Sequence, residues 1–383
     1  MRIRALGVEL EVDLEALSLE QRTEIICEWN ECLVTDKHSS NIDADIIVPG
    51  PGNEQTSYAL HRDVTQFAIA KQIGHLHMFH ACAVADDNGS VVGFVARSGT
   101  GKTTAARRLA QKYHYVTDET LACDSDGNVF PFPKPLSIKS TDHTGKIGRS
   151  PGDAGLRTLK ANQILMLHAL VLLQREPERA TPPELVPIPV HEAIGHIAPE
   201  TSSLLAVPNP LSALAGLLTR SGGPWLLRYR DIADCDYLID KLFEQLDSPS
   251  DEASEEDTWI ELGPGPIADA VRDKLIKTNQ LSRYGTLNRP TRIISHSRIQ
   301  RRPWSDAIKF SDGYYVISTD AYTLVLSSLG GYLWEQCEHP ISITRLTSLV
   351  QEEFGENPDA EKHVIDALQS LFDADLIDEV SNT

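Results

Sequence analysis

A glycine-rich segment between an apolar run and a run with helical spacing limits the folds open to this chain. The apolar residues 91–95 precede ARSGTGKT (residues 96–103), and residues 103–113 place alanine and leucine at helical spacing. Residues 96–103 fit the pattern G-x-x-x-x-G-K-[ST], with alanine at its first position. Glycines at 99 and 101 let successive backbone amides face phosphate oxygens, and the helix directs its positive dipole end at the same point. The segment therefore predicts a strand, a phosphate-binding loop and a helix in an α/β fold.

The residue types in this loop predict a nucleotide site. Lys102 is placed to bind the β- and γ-phosphates of ATP, and Thr103 to offer its hydroxyl to Mg²⁺. The predicted nucleotide-binding residues are Ser98, Gly99, Thr100, Gly101, Lys102, Thr103 and Thr104.

Two further features are predicted to complete this site. Asp118 and Glu119 follow the next apolar strand, where one carboxylate can hold Mg²⁺ with Thr103 and the other can accept a proton from an alcohol. His80 precedes the loop, on a strand predicted to run beside it because the Asn-Gly pair at residues 88–89 indicates a β-hairpin. A histidine satisfied within the core is the alternative. The predicted catalytic residues are His80, Lys102, Asp118 and Glu119.

Composition divides the 383 residues into four parts. Residues 1–75 are predicted to be a small α/β lead-in, 76–246 the phosphate-binding domain, and 303–383 a second domain. Residues 247–259 are acidic and poor in large apolar side chains, which is typical of a linker. Residues 283–302 carry six arginines and no acid, which indicates a connector facing the acidic body or a site for an acidic peptide or phosphate. Residues 247–302 are therefore predicted to be an acidic and then arginine-rich linker.

Charge and hydropathy argue against several functions. The chain has 55 acidic and 35 basic residues and a net charge of −20, which disfavours binding to nucleic acid. No run approaches the roughly 18 apolar residues of a membrane helix, so we expect a cytoplasmic protein with no membrane partner. The six cysteines lack metal-ligand spacing and are expected to be small buried residues. The segment HEAIGH (191–196) spaces its histidines five apart, which predicts a helix surface and no zinc site.

Residues 76–139 resemble the kinase core of the HPr kinase family. The resemblance is carried by HACAVADDNGSVVGFVARSGTGKTT, YHYVTDETLA and PFPKPLSIK, and it weakens towards residue 246. It implies a P-loop kinase fold in which the loop holds ATP phosphates and the acids supply a base and a Mg²⁺ ligand. Glu119 and Thr104 depart from the family, which has Asp and Glu there, and a later arginine signature is absent. The matching residues are His80, Ser98, Gly99, Gly101, Lys102, Thr103, Asp118 and Glu119.

Residues 311–380 resemble a second family, the PqqD-like peptide-recognition domains of ribosomal peptide pathways. Two short strands, the helix-like LGGYLWEQC, SITRLTSLVQEEFG with Ser342 as a predicted cap, and a helix ending in LFDADLI carry the resemblance. It implies a winged-helix-like α+β domain that binds a leader peptide by strand addition; a DNA-binding winged helix is the alternative. The implied peptide-binding residues are Tyr322, Thr323, Leu324, Val325, Leu326, His363, Ala367, Ser370 and Leu371.

Together the two resemblances predict a kinase that modifies a ribosomally made peptide. It would bind the precursor leader and transfer phosphate from ATP-Mg to a Ser or Thr hydroxyl. One alternative is a non-catalytic nucleotide-binding protein that delivers the peptide to separate modifying enzymes. Another is an enzyme that activates the peptide for condensation or cyclisation.

Overall fold

The computed structural model describes residues 1–34, 44–50, 54–139, 146–160, 162–246, 258–278 and 297–380. Over these ranges the chain is mixed α/β with several small sheets. No described helix is both long and apolar enough to cross a bilayer. The chain divides into two compact units: unit 1 is Met1–Ile188, Glu200–Leu204 and Gly216–Asp251, and unit 2 is Pro189–Pro199, Leu205–Ala215 and Glu252–Thr383.

The strands are short, and most lie in unit 1. Those of unit 1 are β1 (Arg2–Ala5), β2 (Val8–Asp13), β3 (Ile46–Ile47), β4 (His77–Phe79), β5 (Ala81–Ala85), β6 (Ser90–Val95), β7 (His114–Thr117), β8 (Leu121–Cys123), β9 (Val129–Phe130), β10 (Leu136–Lys139), β11 (Lys146–Arg149), β12 (Met166–Arg175), β13 (Glu184–Pro187) and β14 (Pro224–Tyr229). Those of unit 2 are β15 (Trp259–Pro264), β16 (Arg298–Arg301), β17 (Asp306–Phe310), β18 (Tyr315–Ser318), β19 (Thr323–Leu326), β20 (Ile341–Ser342) and β21 (Ile377–Val380).

Some helices have a local start signal, such as the capping box of Ser18 and Gln21 before the first one. They are α1 (Leu19–Glu28), α2 (Glu54–Gln72), α3 (Lys102–Leu109), α4 (Val190–Ile197), α5 (Pro210–Arg220), α6 (Asp236–Leu246), α7 (Ala268–Thr278), α8 (Ser328–Gln336), α9 (Ile343–Phe354) and α10 (Ala360–Asp373).

Unit 1 is built around a six-stranded sheet with the order β13-β14-β12-β6-β5-β7. The predicted hairpin is confirmed, because β5 and β6 pair antiparallel across a turn that contains Gly89 at φ 94°. Strand β6 is buried at all six positions, as expected of a strand covered on both faces. Ala105, Ala106 and Leu109 of α3 are buried in the same core, so burial fixes α3 directly after the glycine-rich loop.

Unit 2 contains the four-stranded sheet β15-β17-β18-β19 and the three-stranded sheet β20-β16-β21. The two short strands and three helices predicted for residues 311–380 are present as β18, β19, α8, α9 and α10. Ser342 caps α9, as predicted, by accepting a hydrogen bond from the amide of Arg345 at 3.3 Å. Trp334, Leu346 and Leu368, one from each helix, are fully buried in one core, and each such side chain contributes roughly 1.5–3 kcal/mol to folding.

Several predicted features differ from the structure. The predicted linker 247–302 contains β15 and α7, together with β16, while residues 247–257 and 279–296 lie outside the described residues. The histidines of HEAIGH lie on α4, but His191 is buried and stacks on Tyr314 with ring centroids 4.1 Å apart. The prediction of a helix surface is therefore wrong for His191. Five cysteines are buried as predicted, and Cys27 is exposed.

Candidate functional site

The loop after β6 has a backbone that its glycines permit. Gly99 and Gly101 have φ values of 84° and 108°, in the left-handed region that favours glycine. A Cβ at either position would meet no atom within 4 Å, so both α-carbons face open space. Helix α3 begins at Lys102 without a side-chain cap. The amides of its first turn and its positive dipole end are therefore suited to an anion.

Lys102 places a half-buried ammonium at this loop. Its ammonium donates a hydrogen bond to the carbonyl of Ala96, so the side chain folds over the loop. Burial lowers the pKa of Lys102, and the negative charges of Glu200 and Glu119 oppose that shift. A half-buried ammonium that is close to acidic groups and to a helix N-terminus is a suitable partner for phosphate.

Sheet topology brings three predicted features to one edge. Strands β6 and β7 both run antiparallel to β5, with Val95 opposite Ala81 and Thr117 opposite Ala83. The ends of β6 and β7 therefore lie on either side of the beginning of β5. The glycine-rich loop, His80 and the Asp118–Glu119 pair consequently lie at the same edge of the sheet, as the sequence predicted.

Asp118 has a carboxylate oxygen that is buried and has no hydrogen-bond partner among the described residues. The hydroxyl of Tyr115 is buried beside this carboxylate. Burial, the charge of Asp118 and a hydrogen bond to it raise the pKa of Tyr115 well above its usual range, so Tyr115 stays protonated. A carboxylate with a free oxygen at the end of β7 is placed to accept a proton from a bound alcohol.

Glu119 differs from Asp118 in its surroundings. Its side chain is half exposed and forms an ion pair with the ammonium of Lys134, whose own side chain is only 13% exposed. The hydroxyl of Thr117 accepts a 3.3 Å hydrogen bond from the amide of Glu119 and shapes the turn. Glu119 is therefore partly neutralised at the site.

His80 lies between β4 and β5 and contacts a segment that the sequence analysis missed. Its amide donates to the carbonyl of Glu200 at 2.6 Å, and its Nε2 lies 3.3 Å from the hydroxyl of Ser202. Desolvation lowers the pKa of His80 and the charge of Lys102 acts in the same direction, whereas Glu200 and Glu119 oppose the shift. No local motif marks Glu200, because its position depends on pairing with residues 120 positions earlier.

The side chains of the remaining loop residues are accessible to a bound nucleotide. Ser98, Thr103 and Thr104 are exposed and Thr100 is half-buried. The hydroxyls of Thr103 and Thr104 belong to the first turn of α3, where a Mg²⁺ bound to phosphate would take its ligands. Among the described residues, no group of three or more His, Cys, Asp or Glu side chains could hold a metal ion by itself.

In unit 2, the predicted peptide-binding strand β19 ends the four-stranded sheet. It pairs with β18 on one side, and within the described part of the chain no strand pairs with its other edge. Leu324 and Leu326 pack on the core, whereas Val325 faces Gly195 of α4 so closely that a Cβ there would lie 2.8 Å from it. Thr323 is buried and its hydroxyl lies 2.8 Å from that of Ser318. The free edge of β19 therefore offers mainly backbone groups.

Helix α10 supplies the other predicted peptide contacts. His363 and Ser370 are exposed, Ala367 is half-buried, and their spacing places all three on one face. The hydroxyl of Tyr322 donates to the carbonyl of Ala374 at 2.9 Å, which joins the start of β19 to the end of α10. Leu371 is only 2% exposed and belongs to the hydrophobic core, so it packs beneath this face of α10.

Comparison with known proteins does not assign the chain to a family. No protein-family model matches the chain, and no curated protein matches it at a significant level.

Proposed function

We propose that this chain is an ATP- and Mg²⁺-dependent kinase that phosphorylates a Ser or Thr hydroxyl of a ribosomally made precursor peptide. The observation that carries the proposal is the single sheet edge that holds the glycine-rich loop, His80 and the strand-end acids. The proposal also takes the HPr kinase-like and PqqD-like resemblances as the fold families of the two regions.

The loop residues fit the phosphates of ATP. Two glycines with positive φ face open space, and the uncapped start of α3 provides amides for phosphate oxygens. Lys102 would leave the carbonyl of Ala96 and bind the β- and γ-phosphates. When bound through Thr103, Asp118 or Glu119, Mg²⁺ would neutralise part of the phosphate charge.

The chain's own residues would then direct the transfer. Asp118 accepts the proton of the peptide hydroxyl as the hydroxyl oxygen bonds to the γ-phosphorus and the bond from that phosphorus to the bridging oxygen breaks. ADP is the leaving group, and the products are the phosphorylated peptide and the protonated Asp118. Lys102 stabilises charge on the phosphoryl oxygens, and His80 lies at the same edge, where it can bind the reacting oxygens.

The leader of the precursor would bind in unit 2. Its backbone would add a strand to the free edge of β19, and alternate side chains would contact His363, Ala367 and Ser370 of α10. Because both regions belong to one chain, a bound leader raises the effective concentration of the peptide's hydroxyl for the kinase site.

A second candidate is a recognition protein that binds nucleotide without turnover and delivers the peptide to other modifying enzymes. The ion pair between Glu119 and Lys134 favours it, because an occupied carboxylate is a poorer Mg²⁺ ligand.

The two candidates are separated by incubating the purified chain with the precursor peptide encoded beside its gene, γ-labelled ATP and Mg²⁺. The kinase proposal predicts label on the peptide. Binding of both peptide and nucleotide without any label transfer would support the recognition protein. Phosphate release together with a new bond in the peptide would indicate an activating enzyme.

A further inference from the structure

Residues 200–202 run beside β4 and reach the edge that holds His80. The amide of His80 donates to the carbonyl of Glu200 at 2.6 Å, and the amide of Ser202 donates to the carbonyl of Met78 at 2.8 Å. The intervening residues of the two segments form an antiparallel bridge. The segment is therefore fixed to β4, which ends immediately before His80, although about 120 residues separate the two in sequence.

The side chain of Ser202 contacts His80, and the charge of Glu200 acts on the same site. The Ser202 hydroxyl lies 3.3 Å from Nε2 of His80, and Ser202 is 2% exposed, so the hydroxyl has little freedom to turn away. Desolvation lowers the pKa of His80 and of Lys102, and the negative charge of Glu200 opposes both shifts.

The next residue carries backbone strain. Ser203 has a φ of 61°, a conformation that costs free energy for any residue with a Cβ. Its hydroxyl is buried without a hydrogen-bond partner among the described residues. Strain and unpaired buried groups concentrate at functional sites, because the surrounding structure is selected to hold them. These two features are independent of the contacts made by Glu200 and Ser202.

We propose that Glu200 and Ser202 are positioning residues of this site: Ser202 orients the His80 imidazole, and Glu200, whose carbonyl accepts the His80 amide, places a negative charge beside His80 and Lys102. This inference rests on the proposed function for its role in phosphoryl transfer. The effect of these two residues on His80 can be tested without measuring phosphoryl transfer.

The test is an NMR titration of His80 in the full-length chain with labelled histidine. The chain has thirteen histidines, and His80→Gln identifies the signal. In Glu200→Gln, we expect the His80 midpoint to move to lower pH, because the charge that favours the imidazolium is gone. Glu200→Asp should return it towards the starting value. Glu192→Gln, which removes an exposed carboxylate of α4, is the matched control and should leave it unchanged.

Ser202→Ala tests the orienting bond separately. Removing one hydrogen bond of ordinary strength should change the tautomer ratio of neutral His80 about two- to tenfold, as read from its ¹⁵N shifts. An unchanged ratio, or an equal midpoint in Glu200→Gln and Glu192→Gln, overturns the inference. If Glu200→Gln does not fold, the tautomer ratio of His80 in Ser202→Ala alone tests the inference. Absence of phosphate transfer by the unmodified chain would refute the proposed function while leaving this NMR result intact.

Discussion

The conformation of the glycine-rich loop makes a prediction with an internal control. Gly99 and Gly223 have nearly the same φ, 84° and 83°, and a Cβ at either would meet nothing within 4 Å. Substitution by alanine therefore costs backbone strain and no steric clash at both positions. A left-handed non-glycine residue costs about 1–2 kcal/mol, so Gly99→Ala and Gly223→Ala should each lower the free energy of unfolding by up to this amount.

Nucleotide binding should separate the two variants. The free Gly99→Ala chain can relieve its strain by moving the loop amides away from the phosphates, and the part relieved must be restored on binding, whereas Gly223 follows α5 and lies outside the loop. Full relief of about 1–2 kcal/mol would lower ATP affinity about 5- to 30-fold. Urea unfolding measures the first quantity, and titration with a fluorescent ATP analogue and Mg²⁺ the second. Equal affinities in the two variants would refute the assignment of the loop to phosphate.

Three other predictions concern separate regions. Lys134→Met should free Glu119 and lower the Mg²⁺ concentration for half-maximal nucleotide binding about threefold; an unchanged Mg²⁺ dependence would exclude a metal role for this carboxylate. Ala367→Trp should weaken binding of a labelled precursor peptide at least about tenfold by filling the face of α10, and Lys362→Trp, on the exposed side of that helix, should not. Burial lowers the pKa of His77 to about 4, so the unfolded chain takes up a proton that the folded chain does not as pH falls from about 6.5 to 4. Stability should therefore drop by about 1–2 kcal/mol between pH 7 and 5 through this group, and His77→Phe should remove that part of the dependence in urea titrations.

Local sequence signals were sufficient to predict the elements that surround the glycine-rich loop. The Asn-Gly turn identified the β5–β6 hairpin, the glycines identified the loop, and alanine and leucine spacing identified α3. Ser342 identified the start of α9. In each case the interactions that form the structure lie within a few residues of one another, so sequence pattern alone can reveal them.

Long-range pairing explains what the sequence analysis missed. Glu200 reaches the site only because its segment pairs beside β4. Strand β15 pairs with β17 far along the chain, while the acidic composition just before it indicated a linker. His191 is buried by Tyr314, more than a hundred residues away. None of these contacts leaves a periodic or spaced pattern near the residue concerned.

The central claim is tested most directly by mass spectrometry of the precursor peptide after incubation with the chain, ATP and Mg²⁺. The account predicts a gain of one phosphate on a Ser or Thr residue, abolished by Lys102→Ala and by Asp118→Asn. A peptide that binds to the chain but keeps its original mass would contradict the kinase assignment. A phosphate gain that survives both substitutions would contradict the assignment of the site.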